Sequence, residues 1–366
     1  MSFKRTFARF FPAPRMLMPH GPGIDITDAS VKWVTLAPYG DGSRVVSLGQ
    51  QSLDAGIVVD GTVKNVGALS AVLAEVKKKL GGMRYAHASL PEEGAYVFDM
   101  HVPEGSSYEE IISMVEFELE GRVPIPVPDV VYDFDVVEVH EGGNGSEIGV
   151  FAFAREIADG YVQAFKQAGI ELLSLEIEAR SIARAVTRKD GTDPITLLAD
   201  IGKGRTGFAI LKHGIPIFTS TVEVGGDQLT KVLVDIYKFS PEEAETFKNE
   251  EGLVVTDKTK AQGAAALEKV AATLAEEVEK HYRFWDTRRN EHGERVTPVG
   301  RIVLVGGSTN LKGLPDYIAG KVHAPTERPN VWLNVDSFDE QIPPISQRKS
   351  LQYVTAIGLA LRSVML

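Results

Sequence analysis

Residues 195–224, ITLLADIGKGRTGFAILKHGIPIFTSTVEV, constrain the fold more than any other stretch of the chain. An apolar strand runs into a glycine-rich turn, a second strand follows, and a tight Lys212-His213-Gly214 turn leads to a third. Asp200 sits where the first strand enters the glycine turn. Gly202, Gly204 and Gly207 spell GxGxxG, the spacing of a dinucleotide-binding turn. Such a turn needs a helix directly after the glycines, because the helix start carries the pyrophosphate. Here residues 208–211 and 215–221 are short, apolar and rich in β-branched side chains, which predicts strands. The glycines therefore bend a hairpin. A hairpin turn holds phosphate when consecutive backbone N–H groups form an anion nest, and a carboxylate at a strand end holds Mg²⁺ through water. A hairpin with a flexible tip would do neither.

The pattern recurs. Gly23-Ile24-Asp25-Ile26-Thr27-Asp28-Ala29-Ser30-Val31-Lys32-Trp33-Val34 is again strand, aspartate, small-residue turn and strand. A third glycine turn, Gly306-Gly307-Ser308-Thr309-Asn310-Leu311, follows the apolar strand at 302–305. Two related lobes that open in the same way and face each other make a cleft, and such clefts take nucleotides.

The chain has 366 residues, too many for one core. A net charge of −11 argues against a general nucleic-acid binder. The absence of cysteine removes disulfides, thiolate metal sites and thiol catalysis, and fits a cytosolic protein. No apolar run reaches the roughly 18 residues of a membrane span. Residues 1–22 form a leader in which Phe3, Phe7, Phe10 and Phe11 alternate with Lys4, Arg5, Arg9 and Arg15, broken by Pro12, Pro14 and Pro19. It is expected to pack on the first lobe or to be disordered, with a membrane-surface segment as the alternative.

Residues 23–85 predict strands and then a helix near 66–80. The pattern changes over residues 86–169, where a strand at 97–102 and a helix at 107–120 lead to the run Val123-Pro124-Ile125-Pro126-Val127-Pro128, then strands at 130–139 and 148–153 and a helix at 155–167. This predicts a separate α+β subdomain inserted in the first lobe, to which 170–194 return. The second lobe spans 195–346 and includes a helical part at about 227–298. One helix there starts at Gly225-Gly226-Asp227 and another at the capping box Ser240-Pro241-Glu242-Glu243; a long one covers 261–289. Tyr282, Phe284 and Trp285 on the long helix are assigned to core rather than to nucleic acid. Residues 347–366 predict a buried apolar helix that returns to the first lobe.

The three turns, in this order and spacing, resemble the two phosphate loops and the adenosine loop of the actin-like ATPase superfamily. Leu90-Pro91, Phe117-Glu118, Ile125-Pro126-Val127-Pro128, Tyr132-Asp133-Phe134-Asp135-Val136, Val224-Gly225-Gly226-Asp227-Gln228-Leu229-Thr230, Ser240-Pro241-Glu242-Glu243-Ala244-Glu245 and Ala356-Ile357-Gly358-Leu359-Ala360-Leu361-Arg362 narrow the resemblance to the PilM family of type IV pilus assembly, which is related to FtsA. FtsA ends in a linker and an amphipathic membrane helix, whereas the last helix here is read as buried. The resemblance implies an α/β, actin-like two-lobed fold of duplicated ribonuclease H-like lobes, and a cytoplasmic protein held at the inner membrane through partners. Those partners would be the N-terminal cytoplasmic tail of a bitopic PilN-like protein, received between the inserted subdomain and the first lobe, and other components of the pilus platform.

The same resemblance implies ATP or ADP with Mg²⁺ as cofactors, and at most a weak ATPase. Asp25 and Asp200 would organise Mg²⁺ waters. The backbones of Thr27, Asp28, Ala29 and Ser30 and of Gly202, Lys203, Gly204 and Arg205 would cradle phosphates, with Lys32 reaching them. Gly226 is assigned to the nucleotide site, and Gly306, Gly307 and Ser308 would let adenosine approach backbone. Glu277 and Lys280, three apart on the long helix, match the pair that contacts ribose and base, or else form a surface ion pair. Glu178 matches the residue that orients the attacking water in filament-forming relatives, or else complements its helix dipole. The first loop departs from the family, with Thr27 in place of glycine and Asp28 in place of a small hydroxyl residue; Lys203 departs in the second. Asp28 and Lys203 are expected to approach each other at the terminal-phosphate site and weaken nucleotide binding or favour ADP; the alternative is that both point to solvent. A small-molecule kinase of the same superfold and a scaffold that no longer binds nucleotide remain the competing readings.

Overall fold

The structure is a computed structural model that describes residues 19–39, 42–140, 145–289, 293, 295–335 and 342–364. The expected leader lies outside these except for residues 19–22. In the first lobe β1 (Gly23–Ile26) turns at the Asp25 motif into β2 (Ser30–Tyr39), which pairs with β3 (Gly42–Ser52). The short hairpin β4 (Val58–Val59) and β5 (Thr62–Val63) leads to helix α1 (Val66–Lys79), capped by the Asn65 side chain. Strand β6 (Tyr85–Leu90) then enters the middle of the sheet, parallel to β1, with Ile24 opposite Ala88.

Next come β7 (Ala95–Val102), α2 (Tyr108–Arg122), β8 (Val130–Val139) and β9 (Ser146–Ala154). The three strands form their own antiparallel sheet, in the order β7-β9-β8, around Phe98, Val115, Leu119, Ile148 and Val150. The chain returns through α3 (Arg155–Gln167), β10 (Glu171–Ile177) and α4 (Glu178–Val186). The separate sheet is narrower than the 86–169 expected. Residues 85–90 belong to the first-lobe sheet, and α3 buries Ala158, Tyr161, Ala164 and Phe165 in one core with Leu69 and Leu73 of α1. A buried run such as Ala86–Ala88–Leu90 suits an interior parallel strand, a long-range pairing that composition does not reveal.

The second lobe repeats the plan. Strands β11 (Thr196–Ile201), β12 (Thr206–Lys212) and β13 (Ile215–Val222) form an antiparallel meander, so the GxGxxG glycines do bend a hairpin. Helices α5 (Gly226–Tyr237), α6 (Pro241–Glu250) and α7 (Ala261–Asp286) follow. Then β14 (Arg301–Val305) joins β11 in parallel, and after α8 (Leu314–Val322) a short β15 (Thr326–Glu327) pairs with β14. The orders β3-β2-β1-β6-β10 and β13-β12-β11-β14-β15 are the same arrangement, three antiparallel strands followed by two parallel ones. On α7, Trp285 is buried and its Nε1 donates to the Thr297 carbonyl at 2.9 Å, while Phe284 is half exposed against Phe218.

The chain closes with α9 (Gln347–Ser350) and α10 (Val354–Leu361), every residue of which is buried. Helix α10 shares one core with Val34, Ile182, Ala183 and Val186 of the first lobe. A buried ion pair fixes it: Glu176 accepts from Arg184 at 2.5 and 2.8 Å and from Arg362 at 2.7 Å, and Arg184 also donates to the Gly358 carbonyl at 2.9 Å. Burial, with Arg362 next, lowers the His87 pKa to about 4, so this imidazole is neutral where it meets Ser174 and Ser363. Among the described residues no helix is long and apolar enough to cross a membrane.

Candidate functional site

Both acidic turns open onto one cleft between the two lobes, of about 1440 Å³. From the first lobe it is lined by Asp25, Thr27, Asp28, Ala29, Ser30 and Lys32, and by Glu178 at the start of α4. From the second it is lined by Asp200, Gly202, Lys203, Gly204, Arg205, Gly226, Gly306, Gly307 and Ser308.

Asp25 is 3% exposed and holds Lys32 Nζ at 3.3 Å, with Ser89 Oγ donating to its other oxygen at 3.3 Å. Burial pulls the Lys32 ammonium down, but Asp25 beside it, with Asp200 and Glu178 behind, outweighs this and holds its pKa above the ordinary lysine range. Burial, then the Asp25 charge, pushes Asp200 up to about 6. Glu178 is driven well up by burial and by Asp25, Glu93, Asp200 and Glu92. Asp25, Asp200 and Glu178 thus gather around one lysine, with Glu92 and Glu93 beside Glu178, a charge excess that a bound cation would relieve. No group of three or more His, Asp or Glu side chains among the described residues is placed to hold a metal directly, so a cation would be reached through water.

The turns supply amides. In the first, Thr27 N and Ser30 N are used inside the turn, by the Ser30 carbonyl and the Thr27 hydroxyl, leaving those of Asp28 and Ala29 without a protein acceptor among the described residues. In the second, Gly202 N is bonded to the Arg205 carbonyl, and the amides of Lys203, Gly204 and Arg205 have no backbone acceptor among the described residues. The Gly202 carbonyl accepts from Gly226 N at 3.0 Å and Ser308 Oγ at 2.8 Å, which joins the second turn, the α5 start and the third turn at one atom. Gly306 has φ +87°, and a Cβ there would lie 2.3 Å from Asp200 Oδ1; only glycine fits.

Two expectations are corrected. Glu277 and Lys280 do not line the cleft: they pair with each other at 3.3 Å on the surface of α7, which turns Leu274, Val278 and His281 inward. The helices of this lobe that present side chains to the cleft are α5, through Asp227, Gln228 and Thr230, and α6, through Glu245, Lys248 and Asn249. Helical spacing gave no means of telling which of the helices face inward. Asp28 does not meet Lys203, which is exposed. It accepts instead from Arg205 Nη1 at 3.4 Å and from the amides of Asp60 and Gly61 at 3.2 and 3.1 Å. The start of α4, with Glu178 in its first turn, is also complemented by Glu92, whose Oε2 accepts from Ala179 N at 3.0 Å. Glu92 was missed; its signal was the pair of acids after Leu90-Pro91, at the end of a buried strand. Burial raises its pKa to about 7, against hydrogen bonds from the Ala179 amide and the Thr219 side chain.

The family model described as "Type IV pilus assembly protein PilM" matches residues 23–364. The chain belongs to the PilM family. In fold it is similar to the protein in a structure of a PilM–PilN type IV pilus biogenesis complex, with a TM-score of 0.76, 21% identity, and 96% of this chain and 99% of that one covered. It is also similar to MreB5 of Spiroplasma citri, solved bound to ADP, with a TM-score of 0.54, 14% identity, and 96% and 98% covered. By sequence it is 22% identical to the cell division protein FtsA of Enterococcus hirae over 381 residues, 92% of this chain and 86% of that protein. This PilM-family chain therefore has the actin-like two-lobed fold, and the repeated strand order is its duplication.

Proposed function

We propose that the cleft binds ADP or ATP with Mg²⁺ and that the protein acts in pilus assembly by holding the cytoplasmic tail of a PilN-like membrane protein, which would place it at the inner membrane through that partner. The observation that carries the nucleotide reading is the convergence of Asp25, Asp200 and Gly306, from three separate turns, on one cleft with unused turn amides on both sides. Asp25 and Asp200 would hold the cation through water, and the cation would neutralise phosphate charge. Lys32 would meet a phosphate, the spare amides of both turns would cradle it, and Glu245 and Lys248 of α6 would receive the sugar and base. Glu178 lies inside the cleft, where it would orient a water, and the protein would be a weak ATPase at most. A related protein solved with ADP supports the nucleotide class, and the PilM–PilN complex supports the partner. The three-stranded subdomain beside the first lobe offers the surface for an extended peptide.

The wild-type protein is expected to melt several degrees higher with millimolar ADP and Mg²⁺, and to lose most of that gain in EDTA. In Asp200→Ala the gain should vanish, an affinity loss of about tenfold or more, with the circular dichroism spectrum retained. No shift in the wild type at millimolar nucleotide would refute the reading. The partner is tested separately, by pull-down with a peptide of the PilN-like tail.

A further inference from the structure

The phosphate-bearing end of the cleft carries an ion cluster that crosses between the lobes. Arg205, on the second-lobe turn, donates from Nη1 to Glu93 Oε1 at 2.5 Å and to Asp28 Oδ2 at 3.4 Å, and from Nη2 to Asp60. All three carboxylates belong to the first lobe. Asp28 is pinned there by the amides of Asp60 and Gly61, so its charge cannot swing away. The Gly61 carbonyl accepts from the buried Tyr161 hydroxyl at 2.7 Å, which anchors the small β4–β5 hairpin that carries Asp60.

We propose that Asp28, Asp60, Glu93 and Arg205 form an ionic gate that discriminates against a third phosphate, making the cleft selective for a nucleoside diphosphate. This rests on the nucleotide reading above. Phosphates cradled by amides of both turns must lie between the turns, and the terminal one lies nearest to where Asp28 and Arg205 meet. The other end of the cleft, lined by Lys248, Asn249, Asn310 and Arg348, is left for the nucleoside. Three carboxylates against one guanidinium leave a net charge of −2 at the gate. A diphosphate stops short of it. A third phosphate brings further negative charge within reach of Asp28 and Glu93, where partial burial limits screening. Arg205 offers little relief, because its Nη1 and Nη2 groups already donate to the three carboxylates and the guanidinium charge is outnumbered there.

The test is the ratio of ATP to ADP dissociation constants, measured by titration calorimetry on the full chain in excess Mg²⁺. Wild type should bind ADP at least about tenfold tighter than ATP. Glu93→Gln and Asp28→Asn keep the shape and remove one charge each, and should lower the ratio by about tenfold. Arg205→Met leaves three unneutralised carboxylates and should raise it. A ratio near one in the wild type, or a ratio that none of the three variants moves, overturns the proposal while leaving the nucleotide reading intact. Failure of the wild type to bind either nucleotide overturns both.

Discussion

Glu92→Gln is expected to stabilise the nucleotide-free protein by about 3 kcal/mol at pH 8 and to leave its stability unchanged near pH 4.5. Glu92 is 8% exposed, and burial, against which the Ala179 amide works, raises its pKa from 4.5 to about 7, with the charges of Glu93 and Asp200 adding to the rise. Below pH 4.5 the carboxyl is protonated in both the folded and the unfolded chain. Between 4.5 and about 7 the unfolded chain ionises while the folded one keeps its proton, so folding stability falls across that window. The loss is about 1.4 kcal/mol per pH unit over the interval, hence about 3 kcal/mol at pH 8. Glutamine escapes it. Its amide oxygen still accepts from Ala179 N, and its amino group puts a donor beside the Glu93 and Asp200 carboxylates. Urea unfolding in EDTA at several pH values measures the difference; parallel curves for the two proteins would show that the carboxyl is not buried in ionised form.

Gly358→Ala should cost about 3 kcal/mol and lower the melting temperature by on the order of 5 °C. A Cβ at position 358 would sit 1.8 Å from the Ser181 carbonyl oxygen and 2.5 Å from its carbonyl carbon, both backbone atoms of α4. No rotamer relieves that contact. The helices must separate, which opens a core that holds Ile182, Ala183, Val354 and Ile357. Gly320→Ala in α8 is the matched comparison, since a Cβ there meets nothing within 4 Å. That variant should gain up to about 1 kcal/mol from helix propensity alone. Equal melting temperatures for the two variants would contradict the close approach of α10 to α4.

Local chemistry made much of the molecule legible in the sequence. The hairpin at 206–222 followed from β-branched residues around a glycine turn, and the start of α6 from the Ser240 capping box, which the structure shows with Glu243 N donating to Ser240 Oγ at 3.2 Å. The pairing of the two acidic turns followed from their repetition. What escaped depends on contacts distant along the chain. Strand β6 carries no mark that it pairs with β1 rather than with β7. Lys203 and Arg205 are two cations two residues apart on one turn, and only the fold decides that Arg205 faces Asp28. Glu92 looks like any surface acid until α4 closes over it. Glu277 and Lys280 show the converse failure: the right spacing on the wrong helix.

The place of α10 also governs the order in which the protein is made. The Ser363 hydroxyl donates to the Gly21 carbonyl 342 residues earlier, and a Cβ on Gly23 would touch the backbone of Ala356 and Ala360. Strand β1 therefore emerges from the ribosome on the order of tens of seconds before the helix that covers it. The sheet of the second lobe, built from one continuous stretch of chain, is complete before α10 emerges. Until then the first lobe displays Val34, Leu36 and Ile182 on an unfinished surface, which makes nascent chains and C-terminally truncated forms the species most in need of a chaperone.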